Sequence, residues 1–141
     1  MSGFLIDTNV VSEIIRPAPS AKVIQWLRST DENLLHVSVL TIGEIRQGVV
    51  LQPSARRRAE LEAFLDSHVR FRFAGRIIPI SGGIADRWGR LTATCRAMGA
   101  PLPPIDGLMA ATALHHDLIL STRNTRHVAS TGVQVFNPWE A

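Results

Sequence analysis

The chain has 141 residues, 45% of them hydrophobic, which is enough for a domain with a buried core. Its 15 Lys and Arg residues against 12 Asp and Glu give a net charge of +3, which permits a nucleic-acid partner without requiring one. Too few residues precede Asp7 for a signal peptide, no apolar run reaches the roughly 20 residues of a membrane span, and a lone Cys95 excludes an internal disulfide, so we expect one cytoplasmic domain over residues 1–141.

The first predicted element is a short buried strand that ends at Asp7. Asp7 is followed by two polar residues and an apolar segment, so it is placed either to cap a helix or to bind a ligand at the strand's carboxyl end. The next predicted elements, in chain order, are a helix over 10–15, a helix over 21–28 capped by Ser20, a strand over 34–37, a helix over 39–51 capped by Ser38 and a helix over 55–67.

The second half of the chain continues the alternation of strands and helices. Residues 68–75 alternate arginine and phenylalanine and fit either a loop or an edge strand. Beyond them we predict a strand over 76–80, a helix over 81–98 ended by Gly99, a proline-rich connection into a helix over 106–115, and strands over 118–121 and 133–136. This order predicts an α/β fold with a parallel sheet of about five strands covered by helices on both faces.

Most acids have an arginine about one helical turn away, which is typical of a solvated surface. The expected pairs are Glu13 with Arg16, Asp31 and Glu32 with Arg28, Glu60 with Arg56 and Arg57, Glu62 with Arg58, Asp66 with Arg70, and Asp86 with Arg90. Three acids lack such a partner and lie in apolar surroundings: Asp7, Glu44 and Asp106.

A buried carboxylate without compensation is costly, and a shared cation would compensate all three acids. Oxygen ligands favour Mg²⁺ or Mn²⁺. Zinc ligands are not arranged for the task, because His115 and His116 are adjacent and should point apart on a helix. The alternative is that the three acids are independent helix caps or exposed charges.

Five segments, taken in order, resemble the PIN domain, and within it the FitB-like branch of the VapC toxins of type II toxin–antitoxin systems. The resemblance covers essentially the whole chain at family-like spacing. It rests on Leu5-Ile6-Asp7-Thr8-Asn9, on Glu44 within residues 40–48, on Asp106 within residues 104–113, on residues 121–127 and on Asn137-Pro138-Trp139.

The resemblance implies a three-layer α/β/α fold and assigns Asp7, Glu44 and Asp106 as catalytic acids and metal ligands. The family often carries a further acid after the fourth strand, where this chain has Asn124 and, three residues later, His127. Asn124 is therefore expected to join the catalytic group in the outer shell, where its amide can accept a hydrogen bond or orient a water.

Six further residues are candidates for substrate contacts or for fixing the carboxylates and their waters. Thr8, Asn9 and Thr122 could hold the acids or waters, or serve as ordinary caps and turns, while Arg46, Arg123 and Arg126 could hold RNA phosphates.

The resemblance implies a magnesium- or manganese-dependent endoribonuclease that acts as the toxin of a toxin–antitoxin module. The implied partners are an RNA substrate, a cognate VapB-like antitoxin and a second copy of the chain, with DNA reached only through the antitoxin complex. Two other functions remain open. One is a catalytically weak PIN-fold subunit that acts through antitoxin binding and DNA-bound autoregulation; the other is a phosphoryl-transfer enzyme with a nucleophilic Asp7, disfavoured because its usual second aspartate is Asn9 here.

Overall fold

The computed structural model describes residues 3–141, which form one parallel five-stranded sheet. The strands are β1 (Phe4–Ile6), β2 (Leu35–Ser38), β3 (Ile77–Ile78), β4 (Ile119–Ser121) and β5 (Val135–Phe136). Their order is β3-β2-β1-β4-β5, and Phe4 of the central β1 pairs with Leu35 on one side and Ile119 on the other. The predicted parallel sheet is confirmed, with strands that are mostly shorter than expected.

Helices connect the strands. They are α1 (Thr8–Glu13), α2 (Ala21–Ser29), α3 (Val39–Leu51), α4 (Ala55–Ala63), α5 (Arg70–Arg72), α6 (Gly82–Ala97), α7 (Pro104–His115) and α8 (Thr125–Val128). A π-helical turn, Phe64–Val69, joins α4 to α5, and 3₁₀ turns cover Glu32–Leu34 and Ala129–Thr131. Within residues 3–141, no helix is both long enough and apolar enough to cross a bilayer.

The alternating side chains of β1 divide the core into two layers. Phe4 and Ile6 pack in a cluster with buried residues of α1, α2, α3 and the π-helical turn. Leu5 points to the opposite face and packs with residues of α6, α7 and α8. Since all three strand residues are buried, the sheet lies between two helical layers, and the implied three-layer α/β/α architecture is confirmed.

Two helices that carry site residues begin earlier than predicted. α1 begins at Thr8, directly after Asp7, whose side chain accepts the Thr8 N–H. α7 begins at Pro104, so Asp106 lies inside its first turn and is not the cap. Proline suits the first helical position because its fixed φ is already helical and it has no N–H to satisfy there.

Residues 68–75 are largely helical, so the prediction of a loop or edge strand was wrong. The helical path continues from α4 through the π-helical turn and α5 to Arg72. The segment after β4 was also not predicted as a helix, yet it forms α8.

The expected ion pairs are confirmed for Glu13, Glu60, Asp66 and Asp86, while three other acids form different contacts. Asp31 accepts the Asn33 N–H at 3.0 Å and does not pair with Arg28. Glu62 pairs with Arg46, and Glu32 pairs with Arg72 and Arg76. Glu13 is not a surface charge: it is 3% exposed and also accepts the Ser20 N–H at 2.7 Å.

Candidate active site

An open cleft of about 470 Å³ lies at the carboxyl ends of β1 and β4. From β1 the chain first adds β2 and β3 on one side of the sheet and then β4 and β5 on the other. Open parallel sheets bind ligands at the point between these two halves. The three partnerless acids predicted from the sequence all line this cleft, together with the first turns of α1 and α7. Its polar lining residues are Asp7, Thr8, Asn9, Glu44, Asp106 and Asn124.

Asp7 is held by three hydrogen-bond donors at the end of β1. The Thr8 N–H donates to Asp7 Oδ1 at 2.7 Å, and the Thr122 hydroxyl and the Asn9 amide donate to Oδ2 at 2.7 and 3.2 Å. Burial nevertheless raises the pKa of the Asp7 carboxyl, because its desolvation outweighs these hydrogen bonds and the negative charge of Asp106 acts in the same direction. The carboxylate is therefore fixed in position but electrostatically uncompensated.

Glu44 approaches the cleft from α3 and is tied to α1 through Thr8. The Thr8 hydroxyl donates to Glu44 Oε1 at 2.5 Å and lies 3.0 Å from the Thr41 hydroxyl. Since the single Thr8 hydroxyl proton is used on Glu44, Thr41 is the donor in the second contact. Burial raises the pKa of Glu44, with smaller contributions from the charges of Asp7 and Asp106, against the lowering effect of the Thr8 hydrogen bond.

Asp106 faces the same cleft from the first turn of α7. Its Oδ2 lies 3.1 Å from His127 Nδ1, while Asn124 lines the cleft itself. The Asn124 N–H donates to the Thr122 hydroxyl at 3.0 Å, so the loop after β4 is connected to the same hydroxyl that holds Asp7.

The three candidate arginines are placed differently from one another. Arg46 does not line the cleft and forms ion pairs with Asp66 at 2.7 Å and Glu62 at 3.5 Å. Arg123 lies over the ring of Trp139 at 4.9 Å, next to Asn124. Arg126 is exposed on α8.

Two contacts of the site could not be read from the sequence. The contact of His127 with Asp106 joins residues 21 positions apart, and the contact of Thr41 with Thr8 joins residues 33 apart. The sequence indicated only one part of this arrangement: Thr41 and Glu44 are three residues apart, a spacing that places both on one side of α3.

Within residues 3–141, no group of three His, Cys, Asp or Glu side chains is gathered tightly enough to hold a metal ion. The three acids therefore line one cleft without forming a compact ligand set. The histidine pair near the end of α7 departs from the expectation: the rings of His115 and His116 contact edge to face at 5.2 Å rather than pointing apart. His116 lies just beyond the last helical residue, so regular helical geometry does not separate the two rings.

The sequence pattern of the PIN domain matches residues 4–131, which is most of the chain. The chain belongs to the PIN domain family. This result agrees with the acids at the carboxyl edge of the sheet, and it confirms the resemblance on which the assignment of Asp7, Glu44 and Asp106 depends.

Individual relatives of this PIN domain are similar over nearly their full length. The chain is 36% identical over 135 residues to Toxin FitB of Neisseria gonorrhoeae, covering 96% of this chain and 97% of that protein. It is 31% identical over 136 residues to VapC ribonuclease Y4jK of Sinorhizobium fredii, with 96% and 97% covered. Among solved structures, it superposes on a chain of FitAB bound to an IR36 DNA fragment with a TM-score of 0.90 and 34% identity, covering 96% and 95%.

Proposed function

We propose that this PIN domain is a metal-dependent endoribonuclease and the toxin of a type II toxin–antitoxin module. The observation that carries the proposal is the cleft at the carboxyl edge of the sheet, which is lined by Asp7 at the end of β1, Glu44 of α3 and Asp106 of α7. The names of the relatives support both halves of the proposal, since one is a toxin and another a ribonuclease. We further propose that residues 1–141 act as a single PIN domain.

The residues of the cleft fit a divalent cation. Within residues 3–141, no lysine or arginine forms an ion pair with Asp7, Glu44 or Asp106, so their negative charges remain available. The buried Asn9 Oδ1 has no hydrogen-bond partner there, although its amide nitrogen is used on Asp7. An unpaired acceptor beside uncompensated carboxylates suits the waters of a hydrated Mg²⁺ or Mn²⁺.

Asp7 and Asp106 would hold the cation directly, and Glu44 would contact it through a water. This division is compatible with the finding that no compact group of three such ligands lies among residues 3–141. It agrees with magnesium's preference for keeping several waters beside one or two protein carboxylates. A bound cation of this kind supplies a Lewis acid for the scissile phosphate and lowers the pKa of an attacking water.

The side chains of the chain itself orient the reactants. Thr122 and Thr8 fix the Asp7 carboxylate, so it does not rotate when RNA enters the cleft. Thr8 occupies only Oε1 of Glu44, which leaves Oε2 free to accept a proton from the attacking water. We propose that Asn124, which lines the cleft, donates its amide protons to a phosphate oxygen. Single-stranded RNA suits such an open cleft better than a rigid duplex.

The partners follow from the same relatives. We propose that a VapB-like antitoxin binds this chain, that the chain forms a homodimer, and that DNA is contacted through the antitoxin complex. FitAB, which is similar to this chain in one of its components, is solved on a DNA fragment.

The deciding experiment changes one charge of the cleft. Asp106→Asn retains the size of the side chain and an oxygen acceptor for His127, but it removes a negative charge from the cleft. We expect folding to survive, while Mg²⁺-dependent cleavage of total cellular RNA and toxicity on expression without antitoxin are both lost.

The matched control is Glu60→Gln. Glu60 lies on α4 and pairs with Arg56 and Arg57 on the surface, so its loss should cost only a few tenths of a kcal/mol and leave cleavage intact. Normal metal-dependent cleavage by Asp106→Asn would show that the assignment of the metal site is wrong.

A second candidate is a catalytically weak subunit that acts through antitoxin binding and regulation on DNA. The observation that favours it is Asn124, an uncharged residue in the cleft at the position where the family often has an acid. Cleavage of RNA by the isolated wild-type chain with Mg²⁺, and none with EDTA, excludes this candidate; no cleavage under either condition supports it.

A further inference from the structure

One short segment, residues 122–127, contacts the carboxylates of two of the three predicted metal ligands, Asp7 and Asp106. At its start, the Thr122 hydroxyl donates to Asp7 Oδ2 at 2.7 Å, and at its end His127 Nδ1 lies 3.1 Å from Asp106 Oδ2. Between them, the Asn124 N–H bonds the Thr122 hydroxyl, and the Asn124 carbonyl accepts the His127 N–H at 3.1 Å. A series of hydrogen bonds through Thr122, Asn124 and His127 therefore connects Asp7 to Asp106.

We infer that His127 is a positioning residue that fixes Asp106 for cation binding, an assignment that rests on the proposed metal-dependent function. Asn124 lines the cleft at the fourth family position but lacks a charge, whereas His127 lies on α8, is not among the lining residues and contacts Asp106 at 3.1 Å. The two residues therefore have different roles: Asn124 lines the space for the substrate, and His127 holds the predicted metal ligand Asp106.

The geometry determines what the imidazole does. A carboxylate oxygen only accepts hydrogen bonds, so His127 Nδ1 carries the proton and donates to Oδ2. This contact fixes the rotation of the carboxyl group and leaves Oδ1 of Asp106 for a cation. Ligating carboxylates are ordinarily held by hydrogen bonds from neighbouring groups, and the loss of such a group typically weakens metal binding.

α8 packs against α7 through a buried residue next to His127. Val128, the residue after His127, is 2% exposed and belongs to the same core cluster as Met109 of α7. The burial of Val128 anchors α8 against the helix that carries Asp106, so packing sets the position of the His127 backbone relative to Asp106. The His127 side chain itself is 54% exposed, and its contact with Asp106 orients the ring.

The test measures Mn²⁺ binding to the intact chain by isothermal titration calorimetry, without RNA. His127→Ala removes the donor, and we expect its Mn²⁺ affinity to fall by about 10- to 100-fold. His127→Asn places an amide N–H close to the position of Nδ1 and is expected to restore affinity to within a few-fold of wild type. His116→Ala removes a histidine beyond the other end of α7 and should bind Mn²⁺ as wild type does. Melting temperatures in EDTA compare the folds of the variants.

Two results would overturn the inference. One is wild-type or tighter Mn²⁺ binding by His127→Ala, which would mean that the imidazole does not assist cation binding or opposes it. The other is equally weak binding by folded His127→Ala and His127→Asn. If His127→Ala does not fold, the comparison of His127→Asn with His127→Gln decides, because the longer amide cannot occupy the same point and should bind more weakly. Failure of the proposed function would give a different result: the wild-type chain would bind Mn²⁺ but would not cleave RNA.

Discussion

Thr8 connects two of the three acids of the cleft through a single residue. Its backbone N–H donates to Asp7 and its hydroxyl to Glu44, while Thr41 donates to the same hydroxyl. These bonds position the acids but do not neutralise them, since the pKa values of Asp7 and Glu44 remain raised by burial. The cleft is therefore built at a cost in stability that a bound cation would offset.

That cost predicts an unusual pH dependence for the metal-free chain. A carboxyl whose pKa is raised by folding binds its proton more tightly in the native state, so the free energy of unfolding falls as pH rises from the ordinary value near about 4 through the raised pKa. Glu44→Gln removes one such group and retains an oxygen acceptor for Thr8. In EDTA the variant should be more stable than wild type at pH 7.5, and the difference should shrink toward pH 4.

Urea unfolding at the two pH values measures this difference. Glu60→Gln provides the contrast, because Glu60 is paired with arginines and its loss should not stabilise the chain at pH 7.5. Adding Mn²⁺ should make wild type more stable than Glu44→Gln. A cation that binds only the folded state raises its stability, and the variant lacks one of the proposed metal-binding carboxylates. A Glu44→Gln variant that is less stable than wild type at pH 7.5 in EDTA would contradict the electrostatic account of the cleft.

At the scale of single residues, the sequence identified site residues by the absence of a nearby arginine partner. Asp7, Glu44 and Asp106 could be selected because no arginine stands one turn away, and all three line the cleft. The sequence misled for Glu13, whose nearby Arg16 suggested a solvated surface charge. Glu13 does pair with Arg16, but it is buried and accepts the backbone N–H of Ser20. Burial of a charged residue depends on the distant elements packed over it, and its neighbours in sequence do not report them.

At the scale of elements, the π-helical turn explains the main error in the predicted secondary structure. Alternation of Arg70, Phe71, Arg72 and Phe73 suggests a strand, which would place both phenylalanines on one face. On the helix they diverge: Phe71 is 84% exposed, while Phe73 is fully buried. The wider turn preceding them keeps Phe64, Leu65 and Val69 in the same core cluster as Phe73, an adjustment that a regular period of 3.6 residues does not predict.

The connection from this helix to β3 depends on Arg76. Its guanidinium donates to the carbonyls of Glu32 and Leu35 at 2.6 Å, to the carbonyl of Arg72 at 2.5 Å and to the carboxylate of Glu32 at 2.9 Å. These bonds hold the 3₁₀ turn, β2 and the end of α5 together at the edge of the sheet. Only a planar group with several fixed donors satisfies so many acceptors at once.

We therefore expect Arg76→Lys to lower the free energy of unfolding by about 2 kcal/mol, because at least two partly buried acceptors lose their donors. Urea denaturation at pH 7.5 measures the change. Arg90→Lys is the matched control, since Arg90 forms an exposed pair with Asp86 on α6 and its exchange should cost less than about 0.5 kcal/mol. Equal losses in the two variants would show that the Arg76 network contributes no more than a surface ion pair.

At the scale of the whole molecule, the sheet topology brings the site together. β1 lies in the centre, and the chain leaves it toward β2 on one side and returns to β4 on the other. The carboxyl ends of β1 and β4 thus place Asp7 beside Thr122. Glu44 reaches the same edge from α3, which follows β2, and Asp106 reaches it from α7, which precedes β4. The alternation of elements was enough to predict the parallel sheet and its edge, but the contacts of α8 required the tertiary structure.

The C-terminal residues also reach this edge, through Trp139. Its ring packs against the core cluster and lies 4.9 Å from the Arg123 guanidinium, so it holds in place an arginine adjacent to the cleft. If Arg123 binds an RNA phosphate, Trp139→Leu should weaken binding of a short single-stranded RNA by about 2- to 5-fold, the value of an exposed cation–π contact. Arg123→Gln should weaken it further and reduce the salt dependence by about one phosphate contact.

Fluorescence anisotropy at two salt concentrations, in the Asp106→Asn background that blocks cleavage, measures both effects. Neither substitution touches Asp7 or Asp106, so Mn²⁺ affinity, measured in the wild-type background, should not change. Trp139→Leu also removes core packing, and melting temperatures separate that loss from the effect on RNA. The decisive comparison is the double variant: since Trp139 acts through Arg123, adding Trp139→Leu to Arg123→Gln should cause no further loss of RNA affinity. Additive losses would mean that Trp139 contributes to RNA binding independently of Arg123.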